Sequence, residues 1–104
     1  MITSIINHDI YDNECFVIPY PNPSEGDFSF LIQSDTPVSV SILIYDMTGT
    51  IIRKLNTETL ESGRQIIKWD GRSETGNEVP NGIYLVQVKT PLQIETIKVM
   101  KINN

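Results

Sequence analysis

Asp70, Glu74, Asn77 and Glu78 bring four oxygen-bearing side chains into one short stretch. Hard cations such as Ca²⁺ take several oxygen ligands, so Asp70, Glu74 and Asn77 are the candidate ligands of a calcium loop. The spacing does not match the helix–loop–helix calcium pattern. Turn chemistry already accounts for Asp70, Gly71 and Asn77, so the favoured reading is a turn with no metal and no other cofactor. Nucleophilic chemistry is poorly supplied. Cys15 is the only cysteine and His8 the only histidine, and His8 falls in an N-terminal segment expected to fray. A Cys–His pair needs both groups held within hydrogen-bond reach; Cys15 reads instead as a small apolar filler at the edge of the first strand. No glycine-rich loop joins a strand to a helix, so no phosphate cradle is expected. This inventory argues against an enzyme.

The stretch that holds the oxygen groups is WDGRSETGNEVPNGIY, Trp69 through Tyr84. It reads as the end of one strand, a connection punctuated by Asp70-Gly71, Gly76-Asn77 and Pro80-Asn81-Gly82, and the start of the next strand. Gly tolerates the positive φ that tight turns require. The expectation is a connection that lets two strands of a sandwich meet in one register.

The chain has 104 residues, one domain's worth, with 39% hydrophobic and 20% charged residues, the balance of an ordinary folded domain. It has no apolar run near the ~20 residues of a membrane-spanning helix. The first residues carry neither a basic n-region nor a long apolar core, so a secretion signal, if one exists, lies elsewhere on a longer precursor. One cysteine neither requires nor excludes an oxidising compartment. Net charge is −5 and uneven: no Lys or Arg precedes Arg53. A nucleic-acid binder would show a basic face, and nucleic acid is not expected as a partner.

Period-two alternation recurs along the chain. Residues 15–18 form a short strand that stops at Pro19-Tyr20-Pro21-Asn22-Pro23, because proline lacks the ladder donor. Phe28, Phe30 and Ile32 share a face. Val38, Val40, Ile42 and Ile44 share another, with Ser39 and Ser41 opposite. Asp46-Met47-Thr48-Gly49 closes a hairpin onto residues 50–55, and residues 56–62 read as loop. Residues 64–69, 83–90 and 94–102 complete about seven strands. No segment reads as a helix. The fold class is therefore an all-β, Ig-like antiparallel β-sandwich, with a core of Phe28, Phe30, Val40, Ile42, Ile44, Ile67, Trp69, Tyr84, Val86, Val88, Ile97 and Val99. Two parities stay open in the last strand: with Ile97 and Val99 inward, Lys98 points out and Lys101 lies inward past the core; with Met100 and Ile102 inward, the lysines exchange roles. Tyr11, Tyr20 and Tyr45 are candidate exposed tyrosines that would meet sugar or protein.

Four segments carry a family resemblance: Tyr20-Pro21-Asn22-Pro23 followed by Gly26; Ile42-Leu43-Ile44-Tyr45-Asp46 followed by Gly49; Trp69-Asp70-Gly71 with Gly76; and Asn81-Gly82-Ile83-Tyr84 followed by a strand bearing Lys98 and Lys101. Together they resemble the C-terminal sorting domain of type IX secretion cargo (the Por system, type A), over roughly residues 16–102. The Tyr45-Asp46…Gly49, Trp69-Asp70-Gly71 and Gly82-Ile83-Tyr84 parts also resemble the Ig-like domain of the flagellar hook-capping protein, over about residues 38–90. The sorting-domain resemblance ranks first, on its proline-rich start and its final lysine-bearing strand.

That resemblance implies a non-catalytic module at the end of a cargo protein from a Bacteroidetes-type bacterium. Residues 1–14 would be a linker remnant or flexible segment and residues 15–104 the sorting domain. Its partners would be the outer-membrane translocon and a sortase-like peptidase, with the protein in the periplasm on its way to the cell surface or to release. Carried over by position, the sorting candidates are Pro21, Asn22, Pro23, Gly82, Tyr84, Lys98 and Lys101. Each has a structural use as well: the prolines stop an edge strand, Gly82 serves a turn, Tyr84 fills core, and the lysines keep an edge strand from pairing. The alternatives to sorting are an accessory Ig-like module that binds carbohydrate or protein, and a hook-cap-like assembly domain.

Overall fold

The computed structural model describes residues 15–91 and 93–102. Seven strands follow one another: β1 Cys15–Tyr20, β2 Phe28–Ser34, β3 Val38–Tyr45, β4 Ile51–Leu60, β5 Gly63–Trp69, β6 Gly82–Lys89 and β7 Ile94–Lys101. They make two antiparallel sheets, a three-stranded one ordered β1-β2-β5 and a four-stranded one ordered β4-β3-β6-β7. The all-β, Ig-like sandwich read from the alternation is the fold observed.

The alternating residues meet between the sheets. Phe28, Phe30, Ile32 and Trp69 from one sheet face Val40, Ile42, Ile44, Tyr84, Val86, Val88 and Val99 from the other, all buried. Burying each such side chain stabilises the fold by roughly 1.5–3 kcal/mol. Phe28 stacks on Trp69 at 5.3 Å between ring centroids, and Trp69 meets Tyr84 edge-on at 5.8 Å. These rings tie the two sheets together. Ile67 and Ile97, expected in the core, are only partly buried and pack against its margin. Val17 and Val79 complete the core.

Three expectations are corrected. The first strand does not stop before Pro19; it continues through Pro19 and Tyr20, paired with Phe30 and Ser29. β1 is an edge strand, where a missing ladder donor is tolerated. The segment expected as loop at residues 56–62 is mostly strand, since β4 runs to Leu60. A shift of register between Ser39 and Ser41 absorbs one extra β4 residue, and pairing resumes at Ser39 with Thr59 and Val38 with Leu60. Finally, the connection from Trp69 to Gly82 does not bring β5 and β6 into one register. It crosses from one sheet to the other.

The Asp46 turn is as expected. Asp46 Oδ1 accepts from the Thr48 and Thr50 N–H groups and from the Thr48 hydroxyl. Led by the Thr48 hydroxyl, these bonds hold the Asp46 carboxyl below its ordinary value. His8, Tyr11 and the N-terminal segment lie outside the described residues.

Candidate functional site

The sorting candidates from the two ends of the chain converge on one edge of the four-stranded sheet. After β1, residues 21–24 leave the three-stranded sheet and run along the free edge of β7. Asn22 supplies both halves of a strand-like contact: its Nδ2 donates to the Lys98 carbonyl at 3.1 Å, and its Oδ1 accepts from the Met100 N–H at 2.9 Å. Ser24 continues the contact with true backbone pairing. Its N–H donates to Met100 O at 3.0 Å, its carbonyl accepts from the Ile102 N–H at 2.8 Å, and it forms a parallel bridge with Lys101. Pro21 and Pro23 flank Asn22, are exposed, and both follow cis peptide bonds. The proline-rich run thus acts as a strap that occupies the C-terminal half of an otherwise open edge, one of the ways natural sheets blunt their edges.

The last strand resolves its parity in favour of Val99. Val99 is 1% exposed, Lys98 is exposed, and Lys101 points inward with only 2% of its side chain exposed. Lys101 is therefore not a solvated edge-protecting lysine, a correction that follows from its sharing a face with Val99. Its Nζ donates to the Val79 carbonyl at 2.6 Å and pairs with Glu78 Oε2 at 3.2 Å. A buried ammonium needs such partners, since desolvation without them is costly. Through them β7 is bolted to the β5–β6 connection.

Gly82 begins β6 opposite Lys101, and Tyr84 lies opposite Val99. The Tyr84 hydroxyl donates to the Pro80 carbonyl at 2.6 Å. Burial, reinforced by the negative charge of Asp46, pushes the Tyr84 phenol above its ordinary value. Pro21, Asn22, Pro23, Gly82, Tyr84, Lys98 and Lys101 therefore surround β7 and its neighbour. Sequence reasoning missed Ser24, Glu78 and Val79 as members. The inward parity of Lys101 was the one signal that such partners exist.

The oxygen-rich loop is put to a different use. Asp70 Oδ1 accepts from Arg53 at 3.1 Å and from the Arg72 N–H at 3.0 Å; Glu74 pairs with Arg53 at 3.4 Å; Glu78 turns away to Lys101. Asn77 Nδ2 donates to the Thr75 hydroxyl. Arg53 also donates to the Arg72 carbonyl, and the Glu74 N–H caps Ile52 O on the other edge of the same sheet. The loop is thus clamped by cations, with its carboxylates divided between two of them. Among the described residues no three His, Cys, Asp or Glu side chains stand where they could hold a metal together.

Two groups of known proteins to which the chain is similar bear on this site. The model of the FlgD Ig-like domain family matches residues 19–92, so the hook-cap likeness reaches back into the strap. The basal-body rod modification protein FlgD of Salmonella typhimurium is 26% identical over 95 residues, which take in 83% of this chain and 39% of that protein. The chain thus spans well under half the length of that curated relative. PorZ of Porphyromonas gingivalis, described as an essential bacterial surface component of the type-IX secretion system, is 28% identical with a TM-score of 0.57, over 84% of this chain and 11% of PorZ. Dimeric latent PorU of the same organism superposes on 99% of this chain and 10% of its own with a TM-score of 0.73; at 24% identity this is a likeness of fold.

Proposed function

The chain belongs to the FlgD Ig-like domain family, and from that premise we propose that it is a variant of this domain used as a type IX sorting module of the Por type A kind. It directs a preceding cargo through the outer membrane and carries out no reaction itself. The observation that carries this reading is the junction of Asn22 with Lys98 and Met100. The proline-rich start and the lysine-bearing end form a single hydrogen-bonded unit, and that lysine-bearing end lies beyond the residues the hook-cap family model matches. The similarity to PorZ, a type IX component, supports the same reading. The translocon and a sortase-like peptidase are the proposed partners, and the periplasm and cell surface the proposed setting.

An export assay tests it. The chain is fused behind a signal peptide and a fluorescent reporter in a bacterium with a type IX system and in a translocon-null strain. Reporter outside the outer membrane only in the first strain is the expected result. Folded fusion retained in the periplasm of both strains would reject the sorting role. A second reading, an assembly domain of the hook-cap kind, draws on the family match and the FlgD identity. It predicts concentration-dependent oligomers in sedimentation velocity, which the sorting reading does not require.

A further inference from the structure

We infer that the outer face of the four-stranded sheet docks a partner protein whose own surface is apolar at the centre and rimmed by carboxylates. The inference rests on the export reading and names the surface through which the domain would be recognised. The sheet register sets out this face. Ile51, Tyr45, Leu85 and Lys98 lie in one row across four strands; Lys54, Leu43, Gln87 and Thr96 lie in the next; Ile83 and Met100 sit beyond the first. Its apolar part is Leu43, Tyr45, Ile51, Ile83, Leu85 and Met100, contiguous at the end where the strap binds β7, with Ile94 standing apart at the other end beside Lys89. Ile51 is 45% exposed. An apolar cluster on an outward sheet face marks an interaction surface more often than scattered single residues do.

The charges around it select the partner. Lys54, Lys89 and Lys98 are exposed on three sides of the patch, and among the described side chains of this face none is a carboxylate. This is notable in a chain of net charge −5. The described acids sit mostly in connections, at Glu25, Asp27, Asp35, Asp46, Glu61, Asp70, Glu74 and Glu78. A partner rimmed by Asp or Glu gains steering and register from the three lysines. A second copy does not fit face to face. The outer face of the three-stranded sheet carries exposed Arg64 and Lys68, so stacking either face on itself or on the other sets cation against cation. A flat pleated face packs on another flat protein surface at about 10 Å, whereas it offers no apolar loop to insert into a bilayer.

The test compares two charge reversals in the export assay. Lys54→Glu/Lys89→Glu/Lys98→Glu alters this face, and Arg64→Glu/Lys68→Glu alters the opposite one; all five side chains are exposed. The first is expected to lower the exported share by roughly tenfold, the effect of losing about 1.4 kcal/mol of recognition, and the second to leave it near wild type. Equal export of both variants, or equal loss from both, overturns the inference. If the triple variant loses its cooperative thermal transition, Ile51→Ser is scored against the same control. Two further results overturn the protein partner: binding of the purified wild-type domain to phosphatidylglycerol vesicles that the triple variant loses, and a wild-type dimer that the triple variant abolishes. Wild-type fusion retained in the periplasm refutes the export reading itself, and this inference with it.

Discussion

Asn22 stands in for a neighbouring strand at Met100: one side-chain amide accepts the Met100 N–H and donates to the carbonyl of Lys98, across 78 and 76 positions of sequence. Both β7 groups point away from β6, into what would otherwise be water or an intruding strand. The contact therefore does two things. It fixes the chain entering from β1 against the last strand, and it shields half of that strand's edge. Among the described residues, the part of this edge left uncovered is its first half, near Ile94 and Thr96.

Replacing Asn22 by Ala removes both bonds at an exposed edge where water can substitute. The loss in stability should be about 1 kcal/mol, measured by urea unfolding. Amide hydrogen exchange at Met100 should speed up relative to that of Val99, whose position opposite Tyr84 is unaffected. Unchanged exchange at Met100 would show that the strap is not held through Asn22.

Lys101 and Glu78 should behave unequally. Lys101→Met keeps the apolar stem but leaves the buried Val79 carbonyl without its donor, and should cost about 1–3 kcal/mol. Glu78 is 55% exposed at its side chain, so Glu78→Gln weakens a pair that solvent already screens and should cost under about 1 kcal/mol. Chemical denaturation of the two variants checks the order. A larger cost for Glu78→Gln would mean that the ion pair, not the bond to Val79, secures the last strand.

How much of this was legible in the sequence depends on the range of the signal. Val40, Ile42 and Ile44 against Ser39 and Ser41 announce their strand and its buried face, because side-chain direction alternates locally. Parity alone also placed Lys101 beside Val99, once Val99 was taken as buried. The β4 extension was hidden because Asn56, Thr57 and Glu58 read as polar loop, while the pairing of Thr59 with Ser39 across a bulge depends on β3. Val79 sits alone in a polar connection with no periodicity to mark it. The strap was half legible. Prolines declare that residues 20–24 cannot be a central strand, but nothing nearby says whose edge they cover. The ionic partners of the oxygen-rich loop were hidden for the same reason, since they come from Arg53 on β4 and Lys101 on β7.

Gly71 and Gly76 separate two demands on a turn residue. Both have positive φ, +75° and +89°, but a Cβ on Gly71 would collide with the backbone carbonyl of Gly26, whereas one on Gly76 would meet open space. Gly76→Ala should cost only the left-handed backbone penalty, about 1 kcal/mol. Gly71→Ala must also push apart the turn before β2 and the loop after Trp69, and should cost more than about 2 kcal/mol. Thermal unfolding of both variants provides the comparison. Equal shifts would show that the approach of Gly71 to Gly26 is not tight in solution.

Tyr84 makes stability depend on alkaline pH. Its phenol is held above the ordinary value by burial and by the charge of Asp46, while the unfolded chain titrates near the usual value of about 10. Below that value both states keep the proton and the contribution is complete. Above it the unfolded state releases its proton first, so stability falls as pH rises through the folded value. Tyr84→Phe removes this proton and also the bond to the Pro80 carbonyl. At neutral pH the variant should be less stable by about 1 kcal/mol. Between pH 9 and 11, a range bracketing that ordinary value, its stability should decline less steeply than that of the parent, since lysine titration is common to both. Parallel decline of the two proteins in urea melts across this range would place the Tyr84 hydroxyl in contact with solvent rather than locked against Pro80.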